Sequence, residues 1–335
     1  MNTNPIAKPA VLVARAIIPE VVAHLSTHFE VETNSDDTLW SRDELIARLQ
    51  GKQGVLTTGG ERIDADLLRA CPDLKICANM AVGYNNFDVP AMTAAGVLAT
   101  NAPGVLTETT ADLGFALLMA AARRITESEH FVRAGRWDRW ACDMLLGQDI
   151  HGSTLGIIGM GRIGQAIARR GVHGFGMKLL YHNRSRLPAD VESGLDARLV
   201  SKDELLRQAD HVVLVLPYTP ESHHLIGAAE LARMKPTATL VNVARGGLVD
   251  DQALAVALRA GTIAAAGLDV FEGEPVVHPD LLACTNVVLT PHIGSATAPT
   301  RRAMAQLAAD NLVAYLTQGR ALSALNPELL PQPAV

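Results

Sequence analysis

The sequence predicts an α/β protein of two Rossmann-like domains, each built on a doubly wound parallel sheet. Its 335 residues are enough for two domains of ordinary size. Short apolar runs alternate with helical segments along most of the chain, which is typical of a parallel sheet with helices on both faces. The stretch LGIIGMGRIG, residues 155–164, joins one apolar run to a helix through three glycines. This turn indicates the doubly wound class most directly.

The composition is that of an ordinary globular protein, with 48% hydrophobic and 19% charged residues. A net charge of −6 without a basic run argues against nucleic acid as the main partner. No apolar stretch has the length needed to span a bilayer, and the start MNTNPIAKPA lacks a secretory signal pattern. We therefore expect a protein with no membrane partner.

Cysteine and histidine usage predicts reduced thiols and no metal. The four cysteines are scattered and form no C-x-x-C pair, which favours a cytoplasmic protein. His223 and His224 are adjacent, which is not a helical metal-ligand spacing, so we interpret them as surface residues.

The first hundred residues predict a small α/β domain of their own. Apolar strands are predicted at 10–14, 55–57, 74–78 and 97–99, and helices at 19–29, 42–49 and 65–70. The loop NMAVGYNNFD, residues 79–88, follows a strand, at the edge where open α/β sheets bind ligands. Val82 and Gly83 there could offer backbone N–H groups to an anion. An ordinary polar turn explains this segment equally well.

A long helix is predicted over residues 107–124, with acidic residues near its start and arginines at its end, as the helix dipole favours. The following segment, residues 131–147, carries Trp137 and Trp140 in no regular pattern. An aromatic-bearing arm of this kind is a candidate subunit contact. Packing onto its own chain is an equally supported alternative.

The glycine turn opens the second domain and predicts dinucleotide binding. Gly159 permits the tight turn, Gly161 lets a pyrophosphate approach the backbone, and Gly164 lets helix and strand pack closely. Free N–H groups and the positive end of the helix dipole then face the phosphates. Five more strands are predicted at 177–182, 209–216, 238–243, 264–268 and 286–289, giving a six-stranded Rossmann sheet.

The residues after the second strand predict the form of the cofactor. An acid at this place selects NAD by binding the ribose hydroxyls, whereas Arg accommodates a 2′-phosphate. The tip reads Asn183, Arg184, Ser185 and Arg186, without a carboxylate. Guanidinium groups bind phosphate in a bidentate manner, so NADP is favoured, with a solvated basic turn on an NAD enzyme as the alternative.

Three chemically matched residues follow later strands of the same sheet: Arg245, Glu274 and His292. Reduction of a 2-oxo acid needs such a set. The Arg binds the carboxylate and polarises the carbonyl, the His donates a proton to the developing alkoxide, and the Glu orients the imidazole and favours its charged form. Each residue alone has a structural explanation, but together at the strand ends they predict a catalytic site.

In its motifs GIIGMGRIG, NVARGGLVD, GLDVFEGEP and TPHIGS, the sequence resembles the D-isomer-specific 2-hydroxyacid dehydrogenases, in their glyoxylate/hydroxypyruvate reductase and 2-ketogluconate reductase branch. The similarity runs from about residue 10 to residue 326. It implies catalytic roles for Arg245, Glu274 and His292. It also implies substrate contacts from Val82, Gly83, Arg245, His292 and Ser295. Implied cofactor contacts come from Thr109, Gly159, Gly161, Arg162, Ile163, Gly164, Asn183, Arg184, Ser185, Arg186, Pro217, Val243, Asp269 and Gly294.

The resemblance also implies the organisation of the chain. Residues 1–103 and 296–335 would form a discontinuous, flavodoxin-like substrate-binding domain, and residues 104–295 the dinucleotide-binding domain. Members are generally homodimers, joined in part through an arm that corresponds to about residues 127–150. Trp140 on this arm could reach the partner's active site, which we state as a hypothesis.

The predicted function is an NADPH-preferring reductase of small 2-oxo acids such as glyoxylate, hydroxypyruvate and 2-ketogluconate. NAD is the second expected cofactor. One alternative is an NAD-dependent dehydrogenase of another D-2-hydroxy acid. A second is a non-catalytic dinucleotide sensor, because a fold does not by itself determine function. The intact set of Arg245, Glu274 and His292 argues against the sensor.

Overall fold

The computed structural model describes residues 8–331, so parts of the predicted first domain, residues 1–7 and 332–335, lie outside the described residues. The chain divides into two compact units. Unit 1 is Met1–Leu106 with Ala296–Val335, and unit 2 is Thr107–Ser295. Both contain a parallel sheet between helices, so the predicted α/β class with two doubly wound sheets is confirmed.

Unit 1 contains a five-stranded parallel sheet in the order β2-β1-β3-β4-β5, which is the flavodoxin-like order. Its inner strands are buried on both faces and are therefore almost entirely apolar. The strands are β1 (Ala10–Val13), β2 (Glu30–Thr33), β3 (Gly54–Thr57), β4 (Ile76–Asn79) and β5 (Leu98–Thr100).

Helices of unit 1 come from both ends of the chain: α1 (Pro19–His28), α2 (Arg42–Leu49), α3 (Ala65–Ala70), α4 (Val89–Ala94) and α13 (Ala298–Gln318). Helix α13 packs tightly on the sheet, because a Cβ on Gly54 would lie 2.9 Å from Leu312. The segment after α13 also joins the sheet. Buried Asn326 donates a hydrogen bond to the Val97 carbonyl (3.0 Å) and accepts one from the Ala99 N–H (2.9 Å).

Unit 2 contains a seven-stranded parallel sheet in the order β12-β11-β10-β9-β6-β7-β8. The strands are β6 (Thr154–Ile158), β7 (Lys178–His182), β8 (Ala197–Leu199), β9 (His211–Leu214), β10 (Thr239–Asn242), β11 (Ala265–Leu268) and β12 (Val287–Leu289). Because all seven strands are parallel, the loops that follow them emerge along one edge. This carboxyl edge carries most of the predicted site residues.

The helices of unit 2 are α5 (Thr107–Ala122), α6 (Ile125–Arg133), α7 (Arg162–Arg169), α8 (Ala189–Leu195), α9 (Lys202–Gln208), α10 (Ala228–Leu231), α11 (Asp251–Arg259) and α12 (Pro279–Leu282). Helix α7 continues into a π-helical turn, Arg170–Gly174. Helix α5 is buried against the sheet, since a Cβ on Gly267 of β11 would lie 3.0 Å from Leu117. No helix within residues 8–331 is long and apolar enough to cross a membrane.

Besides the short helices α4, α8 and α12, which the sequence analysis did not predict, the structure differs from the predicted elements in both sheets and in the long helix. The sheet of unit 2 has seven strands rather than six, because β8 pairs with β7 at the edge. Unit 1 gains β2, in which three of the four residues are polar and both end residues are exposed, so it lacks the apolar run of an inner strand. The single helix predicted to Arg124 ends at Ala122, because Arg124 adopts a left-handed conformation (φ 54°) before α6 begins.

Candidate active site

The three glycines of the β6–α7 turn each meet a different structural need. Gly159 has φ 102°, and a Cβ there would lie 2.5 Å from the Val215 carbonyl oxygen. A Cβ on Gly164 would lie 2.3 Å from the Gly159 carbonyl oxygen, so only glycine lets α7 pack this closely. Gly161 instead faces open space, with no atom within 4 Å of an added Cβ. The turn thus leaves room beside Gly161, where a pyrophosphate would approach.

The beginning of α7 supplies what an anion needs. Gly161 is the N-cap and provides no side chain to bond the first N–H groups of the helix. Arg162 and Ile163 are the first two helical residues, and Gly161 and Arg162 are exposed. Open N–H groups at a helix N-terminus favour a phosphate. These residues therefore fit a dinucleotide.

The four polar residues at the tip of β7, residues 183–186, differ in their contacts and exposure. Asn183 accepts a hydrogen bond from the Met160 N–H (2.8 Å), which ties this tip to the glycine turn. Arg186 pairs with Glu192, with 2.9 Å between Nε and Oε2. Glu192 is buried and also accepts a hydrogen bond from the buried Tyr181 hydroxyl. Arg184 and Ser185 are exposed.

His292 and Glu274 form a hydrogen-bonded pair, with 2.7 Å between Nδ1 and Oε2. The other carboxylate oxygen of Glu274 accepts a hydrogen bond from the Phe271 N–H (2.9 Å). Burial alone would raise the pKa of Glu274, but the bonds from His292 and Phe271 and the charge of Arg245 hold it below its usual value. The lowered pKa favours the ionised carboxylate, which can orient the imidazole through this hydrogen bond.

Arg245 lies in a loop and is partly buried. Burial lowers its pKa, an effect that the charge of Glu274 opposes. Asn242, at the end of β10, holds both sides of the loop: its amide donates to the Arg245 carbonyl (2.9 Å), and its oxygen accepts from the Ala244 N–H (3.0 Å). A Cβ on Gly246 would lie 1.7 Å from the Phe271 oxygen. Glycine thus brings the Arg245 loop against the loop that carries Glu274.

Asp269 organises the loop that presents His292. Its carboxylate is 1% exposed and accepts hydrogen bonds from the Thr290 hydroxyl (2.6 Å), the Ile293 N–H (2.8 Å) and the Gly294 N–H (2.8 Å). Its carbonyl accepts the His292 N–H (2.9 Å). His292 itself adopts a left-handed conformation (φ 53°), which these bonds hold in place.

The remaining predicted residues occupy several places. Ser295 is the last residue of unit 2, Thr109 lies in the first turn of α5, and Pro217 follows β9. Val243 packs on α5, because a Cβ on Gly114 would lie 3.3 Å from it.

Val82 and Gly83 lie in unit 1, in the loop after β4. Their carbonyls accept hydrogen bonds from the side-chain amides of Asn101 (2.7 Å) and Asn79 (3.1 Å). These bonds fix the peptide planes of the loop.

Sequence reasoning did not identify the supporting residues Asn242, Thr290 and Glu192. Asn242 and Thr290 stand at the ends of strands, immediately before the loops that they hold. A polar residue with hydrogen-bonding capacity at such a position is the signal that could have found the first two.

The order of the unit 2 strands arranges these groups along one edge. The β7 tip, the β6 glycine turn, and the loops with Arg245 (after β10), Glu274 (after β11) and His292 (after β12) follow one another in that order. A dinucleotide is an extended ligand that binds across this edge of a doubly wound sheet. The structure therefore brings Arg245, Glu274 and His292 to one end of the edge and the phosphate-binding candidates to the other.

Comparison with known proteins agrees with this geometry. Residues 115–294 match the family model described as "D-isomer specific 2-hydroxyacid dehydrogenase, NAD binding domain". The chain belongs to the D-isomer specific 2-hydroxyacid dehydrogenase family. It is 51% identical over 312 residues to a protein named glyoxylate reductase from Thermococcus onnurineus, covering 92% of this chain and 93% of the relative.

Solved structures give the same result over nearly the full length. A glyoxylate reductase from Paecilomyes thermophila has a TM-score of 0.87 and 34% identity, with coverage of 96% of this chain and 100% of that one. An NADPH-dependent glyoxylate/hydroxypyruvate reductase from Sinorhizobium meliloti, in complex with NADP and malonate, has a TM-score of 0.85 and 36% identity, with coverage of 98% and 100%. This 2-hydroxyacid dehydrogenase family member is therefore an oxidoreductase that uses a nicotinamide dinucleotide.

Proposed function

We propose that this protein is an NADPH-preferring reductase that converts small 2-oxo acids to D-2-hydroxy acids. The observation that carries the proposal is the pair of His292 and Glu274, 2.7 Å apart, beside the loop of Arg245. This pair lies at the same sheet edge as the glycine turn. A general acid, its orienting carboxylate and a partly buried guanidinium are the groups that this reaction requires of the protein.

Each residue then has a defined role. Arg245 binds the substrate carboxylate and polarises the carbonyl. His292 gives its proton to the carbonyl oxygen, and Glu274 keeps the imidazole oriented through Nδ1, leaving Nε2 as the donor. The bound nicotinamide supplies the hydride. We further propose that the Val82 and Gly83 N–H groups bind the substrate carboxylate and that Ser295 contributes to the substrate site.

The proposed cofactor site comprises the glycine turn and the β7 tip. Gly159, Gly161, Arg162, Ile163 and Gly164 would bind the pyrophosphate. At the ribose end residues 183–186 include no acid, and although Glu192 pairs with Arg186, the exposed Arg184 and Ser185 offer charge and a hydroxyl. The NADP-bound relative from Sinorhizobium meliloti supports this preference. Thr109, Pro217, Val243, Asp269 and Gly294 remain predicted cofactor contacts.

The names of relatives guide the choice of substrate. Several are glyoxylate reductases, and one is a glyoxylate/hydroxypyruvate reductase. Glyoxylate and hydroxypyruvate are therefore the proposed substrates. We include 2-ketogluconate because it presents the same carboxylate and adjacent carbonyl. The proposed domain roles follow: unit 1 is the substrate-binding domain and unit 2 the dinucleotide-binding domain.

A kinetic matrix tests the function. NADPH and NADH are each assayed against glyoxylate, hydroxypyruvate, 2-ketogluconate and pyruvate with the purified protein. We expect turnover with glyoxylate or hydroxypyruvate and a higher kcat/KM with NADPH. A higher kcat/KM with NADH would favour the NAD-dependent alternative. Nucleotide binding without turnover of any acid would favour the sensor.

We also propose a homodimer assembled through the arm, residues 127–150. The arm and its neighbouring helix expose large apolar side chains, which is unusual for a surface left in water. They are Ile125, Val132, Trp137, Trp140 and Leu146, each more than half exposed. Light scattering on the purified protein should give a dimer mass. A monomer at micromolar concentration would contradict this assembly.

A further inference from the structure

We propose that His223, His224 and Glu272 form a binding site for a divalent transition-metal ion, with Zn²⁺ as the preferred occupant. The two histidines directly follow the 3-10 turn Pro220–Ser222 after β9, and Glu272 follows β11, 48 residues after His224. Within residues 8–331, this is the group of His, Cys, Asp and Glu side chains whose ligand atoms all lie within 4.8 Å of one another. The proposal does not depend on the reductase function.

The ligand atoms are close to the spacing that zinc requires. Nε2 of His224 lies 2.9 Å from one oxygen of Glu272, and Nε2 of His223 lies 4.0 Å from the other. Zn²⁺ binds imidazole nitrogen and carboxylate oxygen at about 2.0–2.2 Å, so tetrahedral ligands lie roughly 3.4 Å apart. Small side-chain movements would bring all three atoms to this separation. Two imidazoles and one carboxylate, with a fourth place for water, are a common zinc ligand set.

The second nitrogen of His223 is hydrogen-bonded, and an acidic side chain lies near the second nitrogen of His224. The Tyr218 hydroxyl lies 3.2 Å from Nδ1 of His223. An Asp250 carboxylate oxygen lies 3.9 Å from Nδ1 of His224. Metal-bound histidines usually have such a group on the second nitrogen, which fixes the tautomer and directs the first nitrogen at the metal. The rings are stacked, 3.8 Å between centroids and 24° between planes, so the two nitrogens face Glu272 side by side.

The backbone also holds the histidine pair rigidly. His224 adopts a left-handed conformation (φ 50°), and its N–H donates to the Gly247 carbonyl (2.7 Å). The Glu272 N–H is held by the buried Asp251 (3.1 Å). Preorganised ligands lower the entropy cost of binding an ion. All three ligands are partly exposed, so an ion can enter from solvent.

Geometry, and not sequence, points to this site. The adjacent histidines lie on the surface, as their spacing predicts, and a His-His pair alone is not a metal site. The decisive ligand is Glu272, which only the fold brings to them. A metal here would connect the loops after β9 and β11. We expect it to raise the melting temperature by about 5 °C at a hundredfold excess over Kd.

Titration calorimetry of the chelator-treated full chain with ZnCl₂ tests the proposal. We expect one equivalent to bind, and His223→Ala or Glu272→Gln to weaken that binding more than tenfold. Tyr218→Phe retains all three ligands and should weaken it less. Co²⁺ should give visible absorption bands of tetrahedral intensity, lost in His223→Ala.

His28→Ala is the matched control. His24 and His28 stack edge to face on α1 with a helical spacing, and so they offer zinc a competing surface site. This variant should still bind one equivalent of zinc with the affinity of the wild type. The proposal is overturned if the wild type binds no zinc, if His223→Ala binds as tightly as wild type, or if His28→Ala removes the tight equivalent. Circular dichroism of each variant establishes that it is folded.

Discussion

The two ends of the carboxyl edge of the unit 2 sheet are built differently. At the end with β10, β11 and β12, nearly every functional side chain is held by other residues: His292 by Glu274, and the His292 loop by three bonds to buried Asp269. At the β7 tip, Arg184 is exposed, and Arg186 is engaged by Glu192. One end is rigidly supported, and the other presents exposed charge.

This difference follows from what each end is proposed to do. Proton and hydride transfer depend on sub-ångström placement, so the reacting groups need a supporting shell. Binding a phosphate requires mainly charge and donors, which a guanidinium supplies without a rigid frame. We therefore expect substitutions at the first end to lower kcat and those at the second to change only the KM for the cofactor.

The largest expected effect is that of His292→Asn. Asn can neither carry the proton nor supply it to the carbonyl oxygen, so kcat should fall roughly 100- to 10,000-fold. NADPH affinity, measured by fluorescence, should stay within threefold. His173→Asn, an exposed histidine of the π-helical turn, is the control. Turnover of His292→Asn near the wild-type rate would disprove the assignment.

The second-largest effect is expected of Asp269→Asn, which replaces one carboxylate oxygen of this buried supporting residue by an amide nitrogen. The amide would turn an N–H group toward donors that now bond to a carboxylate. We expect the free energy of unfolding to fall by about 2–4 kcal/mol and kcat by about 100-fold as the His292 loop shifts. Urea denaturation measures the free energy of unfolding, and steady-state assays measure kcat. The control is Asp280→Asn, whose carboxylate pairs with Arg259 on the surface. Equal effects of both variants would refute the supporting role of Asp269.

The pH dependence of stability in Glu274→Gln tests the hydrogen-bonded pair of His292 and Glu274. The pKa of Glu274 in the folded protein is below its usual value of 4.5. The ionised carboxylate therefore stabilises the fold above about pH 4.5, and this contribution is lost as pH falls through the lowered pKa. Wild type should have a larger free energy of unfolding than the variant at pH 6, and this difference should narrow below pH 4.5. We also expect kcat to fall about 30-fold. A gap that widens on acidification would contradict this electrostatic role.

The same contrast explains which features of the fold and site could be predicted from the sequence. The glycine turn and the residues after β10, β11 and β12 were identifiable because the chemistry demands particular residue types at fixed places after apolar strands. Adjacent parallel strands then bring those residues to one edge. Most strands and helices were also predicted correctly, within a few residues, because buried runs of Val, Ile and Leu mark them.

What the sequence did not reveal depends on tertiary contacts. The engagement of Arg186 by Glu192 requires α8 to fold back beside β7, and no local pattern encodes that packing. The break at Arg124 is a backbone conformation within a segment of good helix formers. Strand β8 is only three residues long and partly exposed, so its edge position, and not its composition, makes it a strand. Glu272 approaches His224 only through the fold.

At the exposed end, Arg184→Gln should raise the KM for NADPH about tenfold. This is the loss of one charge-assisted hydrogen bond, about 1.4 kcal/mol. The KM for NADH should be unchanged, because NADH lacks the 2′-phosphate, and kcat should stay near the wild-type value. Steady-state kinetics with both cofactors measure this. An equal rise for NADH would show that Arg184 does not read the phosphate.

The smallest effect should be that of Arg186→Gln, although the sequence gives both arginines the same role. The Arg186 guanidinium already bonds to Glu192, which neutralises its charge and competes with a phosphate for its donors. We expect the KM for NADPH to rise about threefold or less.

Glu192→Gln is the complementary change, because it weakens the competition between Glu192 and a phosphate for Arg186. In that background, Arg186→Gln should have a larger effect on the KM for NADPH. Equal, additive losses from Arg184→Gln and Arg186→Gln would mean that the bound phosphate draws Arg186 away from Glu192. The exposed end would then rearrange on binding, while the supported end stays fixed.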